Sequence, residues 1–381
     1  MAGAGRALCG ALAVLCATLL AAHAAAAQPG LLVGVDDDTV KWIARPNGLV
    51  SVDRDLGLGA VRVTIPWQQG EVTPTRLTGI YLHRVASMMA LGERVVLAVY
   101  GTSAQAPVDS AGRTAYCGFL RHVAQRLPVR DVVVWNEANS SDYWPASAGA
   151  DAYEQLLAQC WDALHGLQRQ VNVISSTAAH HDPAGFVREL GAAYRASKRM
   201  RPIADTFGHN PYPDDSAEPP WTTHPDDPTT IGEGDLAALL TAYNDAFAGT
   251  AQPPPGSGRV TIWYLEDGFQ TTVPAAKRRF YHGTENDRAP VPPLAPGASG
   301  SLRSERDQAT QLHDALVLAY CQPAVGAFFN FELIDEDRLV GWQSGLLWRD
   351  GTHKPSYDAF RATVAAVAAG RIDCSAVTQQ P

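Results

Sequence analysis

The stretch "DVVVWNEAN" at residues 131–139 changes character part-way along. Val132, Val133, Val134 and Trp135 form a β-favouring apolar run without the alternation of a half-exposed strand, so the run belongs in a sheet covered on both faces. Asn136 and Glu137 follow at once, and an apolar core does not accept an unpaired carboxylate. The strand must therefore end where a cavity begins.

Seven further runs of this kind surround it: "LLVGVD" (31–36), "AVRVTIPW" (60–67), "RVVLAVYG" (94–101), "NVISSTAAH" (172–180), "ADTFGHNPY" (204–212), "VTIWYLE" (260–266) and "AVGAFFNFE" (324–332). Helical patterns with apolar residues at i, i+3, i+4 spacing lie between and after them, over 76–92, 115–127, 152–167, 185–197, 234–249, 306–321 and 357–370. Alternation of this length predicts the α/β class and a (β/α)8 TIM barrel, which at about 250 residues accounts for one domain with long loops. An open doubly wound sheet is the competing topology, but no GxGxxG turn follows the first run. The long insertions, at 213–233 and 271–301, follow the sixth and seventh runs. They therefore sit on the face where barrel enzymes build their sites.

The first 27 residues read as a secretory signal peptide: Arg6 precedes an apolar stretch, and Ala25, Ala26 and Ala27 offer a small-residue cleavage site before Gln28. The strongly apolar part is short of the roughly 20 residues that a membrane span needs. The mature chain, 28–381, is expected to be a secreted, extracellular monomer that does not touch the membrane once the leader is removed. A net charge of −9 from scattered acids, with no basic stripe, argues against nucleic acid as a partner. Removing the leader leaves Cys117, Cys160, Cys321 and Cys374, which allow three pairings. Pairing Cys117 with Cys160 and Cys321 with Cys374 is expected, because it would join neighbouring helices and tie down the C-terminus of such a barrel. No CxxC or His/Cys cluster suggests a metal, and none is expected.

Polar residues gather at the carboxyl ends of the runs: Asp36 and Asp37, Arg62 and Trp67, Asn136 and Glu137, His209 and Tyr212, Glu266, then Asn330 and Glu332, with Trp342 beyond. Glu137 and Glu266 end runs three positions apart around the barrel, and hydrolysis of a glycosidic bond by a retaining mechanism needs two carboxyls about 5 to 5.5 Å apart. A single strand-end glutamate can equally be a structural ion pair; two facing one cavity argue for chemistry. Asp267 and Glu332 are the rival nucleophiles. Side chains alternate along a strand, so Glu266 and Asp267 cannot both point inward.

"WNEAN" (135–139), with a second glutamate closing "TIWYLE" (261–266), resembles the large clan of retaining glycoside hydrolases that includes the cellulase-like family five and the β-xylosidase-like family thirty-nine. The resemblance runs through the mature chain to "GLLWRDGTHKPSYDAF" (345–360). It implies a carbohydrate substrate, no cofactor, Glu137 as general acid/base and Glu266 as nucleophile. It also implies that Arg62 holds Glu266 charged, that Asn136 meets the sugar 2-hydroxyl, and that in "HNPY" (209–212) Tyr212 orients the nucleophile while His209 lines the sugar pocket. The chain departs from some branches here, with two residues rather than one between His and Tyr.

Sugar clefts use aromatic faces because a pyranose presents an apolar CH face. Of nine tryptophans, Trp342 is expected as the floor and Trp67, Trp144 and Trp221 as walls, whereas Trp42, Trp135, Trp161 and Trp263 are expected in the core. Two other readings stand beside the hydrolase: a non-catalytic carbohydrate-binding barrel, which the presence of both glutamates argues against, and an unrelated barrel hydrolase or lyase built on Asp36, His209 and Asp267.

Overall fold

The computed structural model describes residues 30–256, 259–286, 288–294 and 306–376; the expected leader lies outside them. Eight parallel strands, β1 (Leu32–Asp36), β2 (Ala60–Pro66), β3 (Val95–Tyr100), β4 (Asp131–Val134), β5 (Asn172–Ala178), β6 (Thr206–Asn210), β7 (Ile262–Asp267) and β8 (Val325–Phe331), close into a barrel in sequential order. Each is followed by a helix: α1 (Asn47–Leu56), α2 (Arg76–Ala90), α3 (Ser110–Arg126), α4 (Gly149–His165), α5 (Pro183–Ser197), α6 (Leu236–Phe247), α7 (Gln308–Cys321) and α8 (Ser356–Ala368). Closure is made by β1 on β8, with Val35 opposite Asn330.

α1 lies outside the helices expected from the sequence. It is ten residues long, Pro46 at its N-cap supplies no side-chain cap, and Asp53 is buried on its inner face among Leu49, Val50 and Leu56. The first turn of α3 is also missed, although Asp109 caps it by accepting from Gly112 N at 2.6 Å, a contact typically worth about 1 kcal/mol.

Two apolar layers result from the alternation of strand side chains. Inside the barrel, Ala60, Val96, Ala98, Val133, Ile174, Leu265, Ala327 and Phe329 pack together. A Cβ at Gly208 would collide with the Ser175 carbonyl and with Leu265, so only glycine lets the interior close there. A larger layer, including Val61, Val63, Val132, Val134, Phe207 and Tyr264, lies between the strands and the helices. At the amino end, Arg94 makes two hydrogen bonds to Asp131, at 2.8 and 3.0 Å, and lies over Trp263.

The cysteines pair as expected, Cys117 with Cys160 between α3 and α4, and Cys321 at the end of α7 with Cys374. Among the described residues, no helix is long and apolar enough to cross a membrane.

Candidate active site

β4 ends in a backbone conformation that side chains rarely adopt: φ is +66° at Trp135 and +38° at Glu137. Such left-handed residues persist only where their surroundings hold them, and here hydroxyls do so. Tyr116 Oη accepts from Trp135 N at 2.9 Å, Ser176 Oγ accepts from Glu137 N at 3.1 Å, and Tyr153 Oη donates to Val134 O at 2.9 Å. Asn139 ties the turn to the end of β5, accepting from Ala178 N at 2.7 Å and donating to Ala178 O at 2.9 Å. The turn drives Trp135 into the outer core and aims Glu137 at the cavity.

That cavity, a cleft of about 570 Å³ at the carboxyl ends of the strands, is lined by Glu137, Glu266, Tyr212, Phe331 and Trp342, with Tyr143, His180, His181, Asp214 and Arg288 around them. Glu266 Oε1 lies 2.7 Å from the Arg62 guanidinium, and its Oε2 accepts from Tyr212 Oη at 3.2 Å. Both partners donate to it, as an acceptor-only carboxylate requires. Arg62 is fully buried inside the barrel, pairs at the same time with Asp36, and donates to Asn136 Oδ1 at 3.0 Å. Asp36 is therefore part of the support: burial pushes its carboxyl well above the usual range, against the pull of Arg62.

Glu137 is in a different environment. Burial, and then the charge of Glu266, push it up to about 7, opposed by the hydrogen bond that Asn210 Nδ2 donates to its Oε1 at 2.8 Å and by Arg62. The two carboxyls of one cleft therefore meet different surroundings.

Several expected residues lie elsewhere. His209 is fully buried on the outer face of β6, where Nδ1 meets Thr177 Oγ1 at 3.0 Å and Nε2 meets Ile231 O at 2.9 Å; burial lowers it to about 4. It does not line the cleft. Alternation along β6 turns Asn210 inward instead, and that pattern, legible from Gly208 onward, is the signal that would have found it. Trp67 and Trp144 are not walls. Trp67 packs edge-on against Tyr116 and Trp135 with its Nε1 on Glu71 O, and Trp144 packs between Trp135 and Tyr153 with its Nε1 on Gly149 O. Both are at most 2% exposed. Their indole N–H groups find backbone carbonyls, which makes the outer core a stable place for them.

Trp42, expected in the core, is 62% exposed beside a short turn after β1. Trp221 lies beneath Arg306, outside the cleft lining. Trp342 is where the floor is expected, 5.1 Å from the Tyr212 ring and 5.6 Å from Phe331. Asn136 is buried, and its Oδ1 accepts from Arg62.

The rival acids separate. Asp267 is buried and accepts from its neighbour Gly268 N, and burial raises it to about 7. Glu332 lines a second cavity with Asp37 and Glu336 rather than the cleft.

No protein-family model and no curated protein sequence matches the chain. Solved structures do. A family 39 glycoside hydrolase from Bacteroides cellulosilyticus WH2 superposes with a TM-score of 0.56 at 14% identity over 89% of this chain and 64% of its own, so the chain spans less than two thirds of that enzyme. A GH5_18 protein from Streptomyces cattleya, in complex with GlcNAc, gives 0.55 at 15% identity over 92% and 82%. Fungal β-1,4-galactanase gives 0.54 at 13% over 86% and 98%. These likenesses show the closed (β/α)8 barrel fold. At these identities the likeness is one of fold.

Proposed function

We propose that the chain is an exported retaining β-glycoside hydrolase that cleaves O-glycosidic bonds of a poly- or oligosaccharide by double displacement, with Glu137 as general acid/base and Glu266 as nucleophile. The observation that carries this reading is the asymmetry of the two carboxyls: Glu137 is pushed up to about 7, whereas Glu266 receives the Arg62 guanidinium and the Tyr212 hydroxyl. Glu137 gives its proton to the glycosidic oxygen as Glu266 attacks the anomeric carbon, the C–O bond breaks, and a glycosyl ester forms on Glu266. Glu137, now a carboxylate, takes a proton from a water that attacks the same carbon, which releases Glu266 and restores the acid. Tyr212, Phe331 and Trp342 offer aromatic surface to the CH face of the sugar. The apolar leader and the two disulfides support export.

A panel of aryl β-glycosides, repeated with Glu137→Ala and Glu266→Ala in the presence of azide, tests this. Azide should restore turnover in both variants, giving the β-glycosyl azide with Glu137→Ala and the α-glycosyl azide with Glu266→Ala. Full activity in both variants without azide, or a first-formed product of inverted configuration, would overturn the reading.

A further inference from the structure

The loop between β6 and α6 brings together three side chains that the sequence holds far enough apart to hide them. Asp214, Glu218 and His224 each place one potential ligand atom so that all three atoms lie within 4.8 Å of one another. His224 is oriented from behind: Asp235, at the foot of α6, accepts from His224 N at 2.9 Å and faces its Nδ1 at 2.7 Å. A carboxylate at that distance holds a proton on Nδ1 and turns Nε2 toward the Glu218 and Asp214 carboxylates. This is how metal-binding histidines are usually held.

Nε2 is buried and makes no hydrogen bond, although the side chain is only 11% exposed and two carboxylates lie in front of it. It is 3.4 Å from Glu218 Oε1 and 3.9 Å from Asp214 Oδ2. Two ligands each about 2.1 Å from one tetrahedral ion lie about 3.4 Å apart. The His224–Glu218 spacing matches that value, and the exposed Asp214 carboxylate, at 3.9 Å, needs only a small shift to join them.

We propose that His224, Glu218 and Asp214 form a binding site for one divalent ion of the zinc class, with Asp235 orienting the histidine. The mixed nitrogen and carboxylate donors suit zinc and its transition-metal neighbours better than calcium or magnesium, which prefer all-oxygen cages. Glu218 and Asp235 are well covered, at 16% and 9% exposure, whereas Asp214 is 58% exposed and opens the site to solvent. The site's place explains its use. Asp214 also lines the catalytic cleft, and Gln311 of α7 anchors the same loop through the Ser216 and Glu218 carbonyls. An ion on the triad would lock this wall of the cleft from the other side. The site stands on these residues alone and does not depend on the hydrolase reading.

Calorimetric titration of the chelator-treated, dialysed protein with zinc chloride tests it. One equivalent should bind, and His224→Gln and Glu218→Gln should each weaken binding by about 10- to 100-fold or more, with Asp235→Asn losing about 10-fold through the orienting contact alone. His122→Gln, on a distant helix, should bind as the wild type does. Cobalt loading should give visible ligand-field bands that are lost in His224→Gln. Melting curves in chelator identify any variant that fails to fold, and the remaining variants then decide the question. A wild type that takes up no zinc, or a folded His224→Gln that binds it as tightly, would overturn the proposal.

Discussion

Asn210 donates its carboxamide to Glu137 at 2.8 Å, and with Arg62 this contact opposes the burial and the Glu266 charge that act on that carboxyl. Burial and Glu266 favour the neutral acid; the donor favours the carboxylate. A hydrogen bond to a charged group is worth about 1.5–3 kcal/mol, or about one to two pH units. Asn210→Ala should therefore move the alkaline limb of the kcat/KM profile upward by about one unit. An unmoved limb would mean that Glu137 is not the group titrating there.

Glu137 also makes stability depend on pH. Its folded value, about 7, lies above the unfolded value near 4.5, so between these limits the native state binds the extra proton and stability falls as pH rises. The penalty is present in full above pH 7 and absent below pH 4.5. Glu137→Gln removes the charge, so it should melt higher than wild type at pH 8, by about 1–3 kcal/mol, and show little difference at pH 4.5. Thermal melts at the two values check this.

Tyr212→Phe keeps the ring that packs against Trp342 and Phe331 but deletes the donor to Glu266. With Glu266 as the proposed nucleophile, the contact acts on the attacking group rather than on remote parts of the sugar, so kcat should fall about 10- to 100-fold with KM within about threefold of wild type. A change confined to KM would reassign Tyr212 to sugar binding.

How far the site was legible follows from these residues. Apolar runs and their order give the barrel, because strands covered on both faces differ plainly from amphipathic helices. Glu137, Glu266, Tyr212 and Trp342 could be picked out because they end such runs or follow them, and Arg62 because it is a charge inside one. Depth was not legible. Nothing in the residue type tells Trp67 and Trp144, whose indoles reach backbone carbonyls under the helices, from Trp342 in the cleft. Asn210 rather than His209 faces inward because side chains alternate along β6 from Gly208, whose Cβ position points at the barrel interior. The triad of Asp214, Glu218 and His224 depends on how one loop folds back on itself, which no local spacing records.

The tryptophans make that distinction measurable. Trp342→Ala should raise KM about 5- to 30-fold, as expected from about 1–2 kcal/mol of lost stacking, and leave the melting temperature nearly unchanged. Trp144→Ala, at a fully packed position against Trp135 and Tyr153, should cost about 3–5 kcal/mol of stability and leave KM of the remaining folded enzyme unaltered.

The disulfide between Cys117 and Cys160 closes a separation of 43 residues and ties α3 to α4, the helices that supply Tyr116 and Tyr153 to the end of β4. Replacing both cysteines by alanine should cost about 2–4 kcal/mol through the freed unfolded chain. The hydroxyls stay anchored by their own backbone partners, Val99 O for Tyr116 and Val134 O for Tyr153, so the left-handed turn at Trp135 and Glu137 should survive. The double variant should then unfold at lower denaturant while its kcat and pH profile at 25 °C match wild type. If kcat fell together with stability, the bridge would be holding the turn at Trp135 and Glu137 in place, and the tyrosines alone would not be enough to position Glu137.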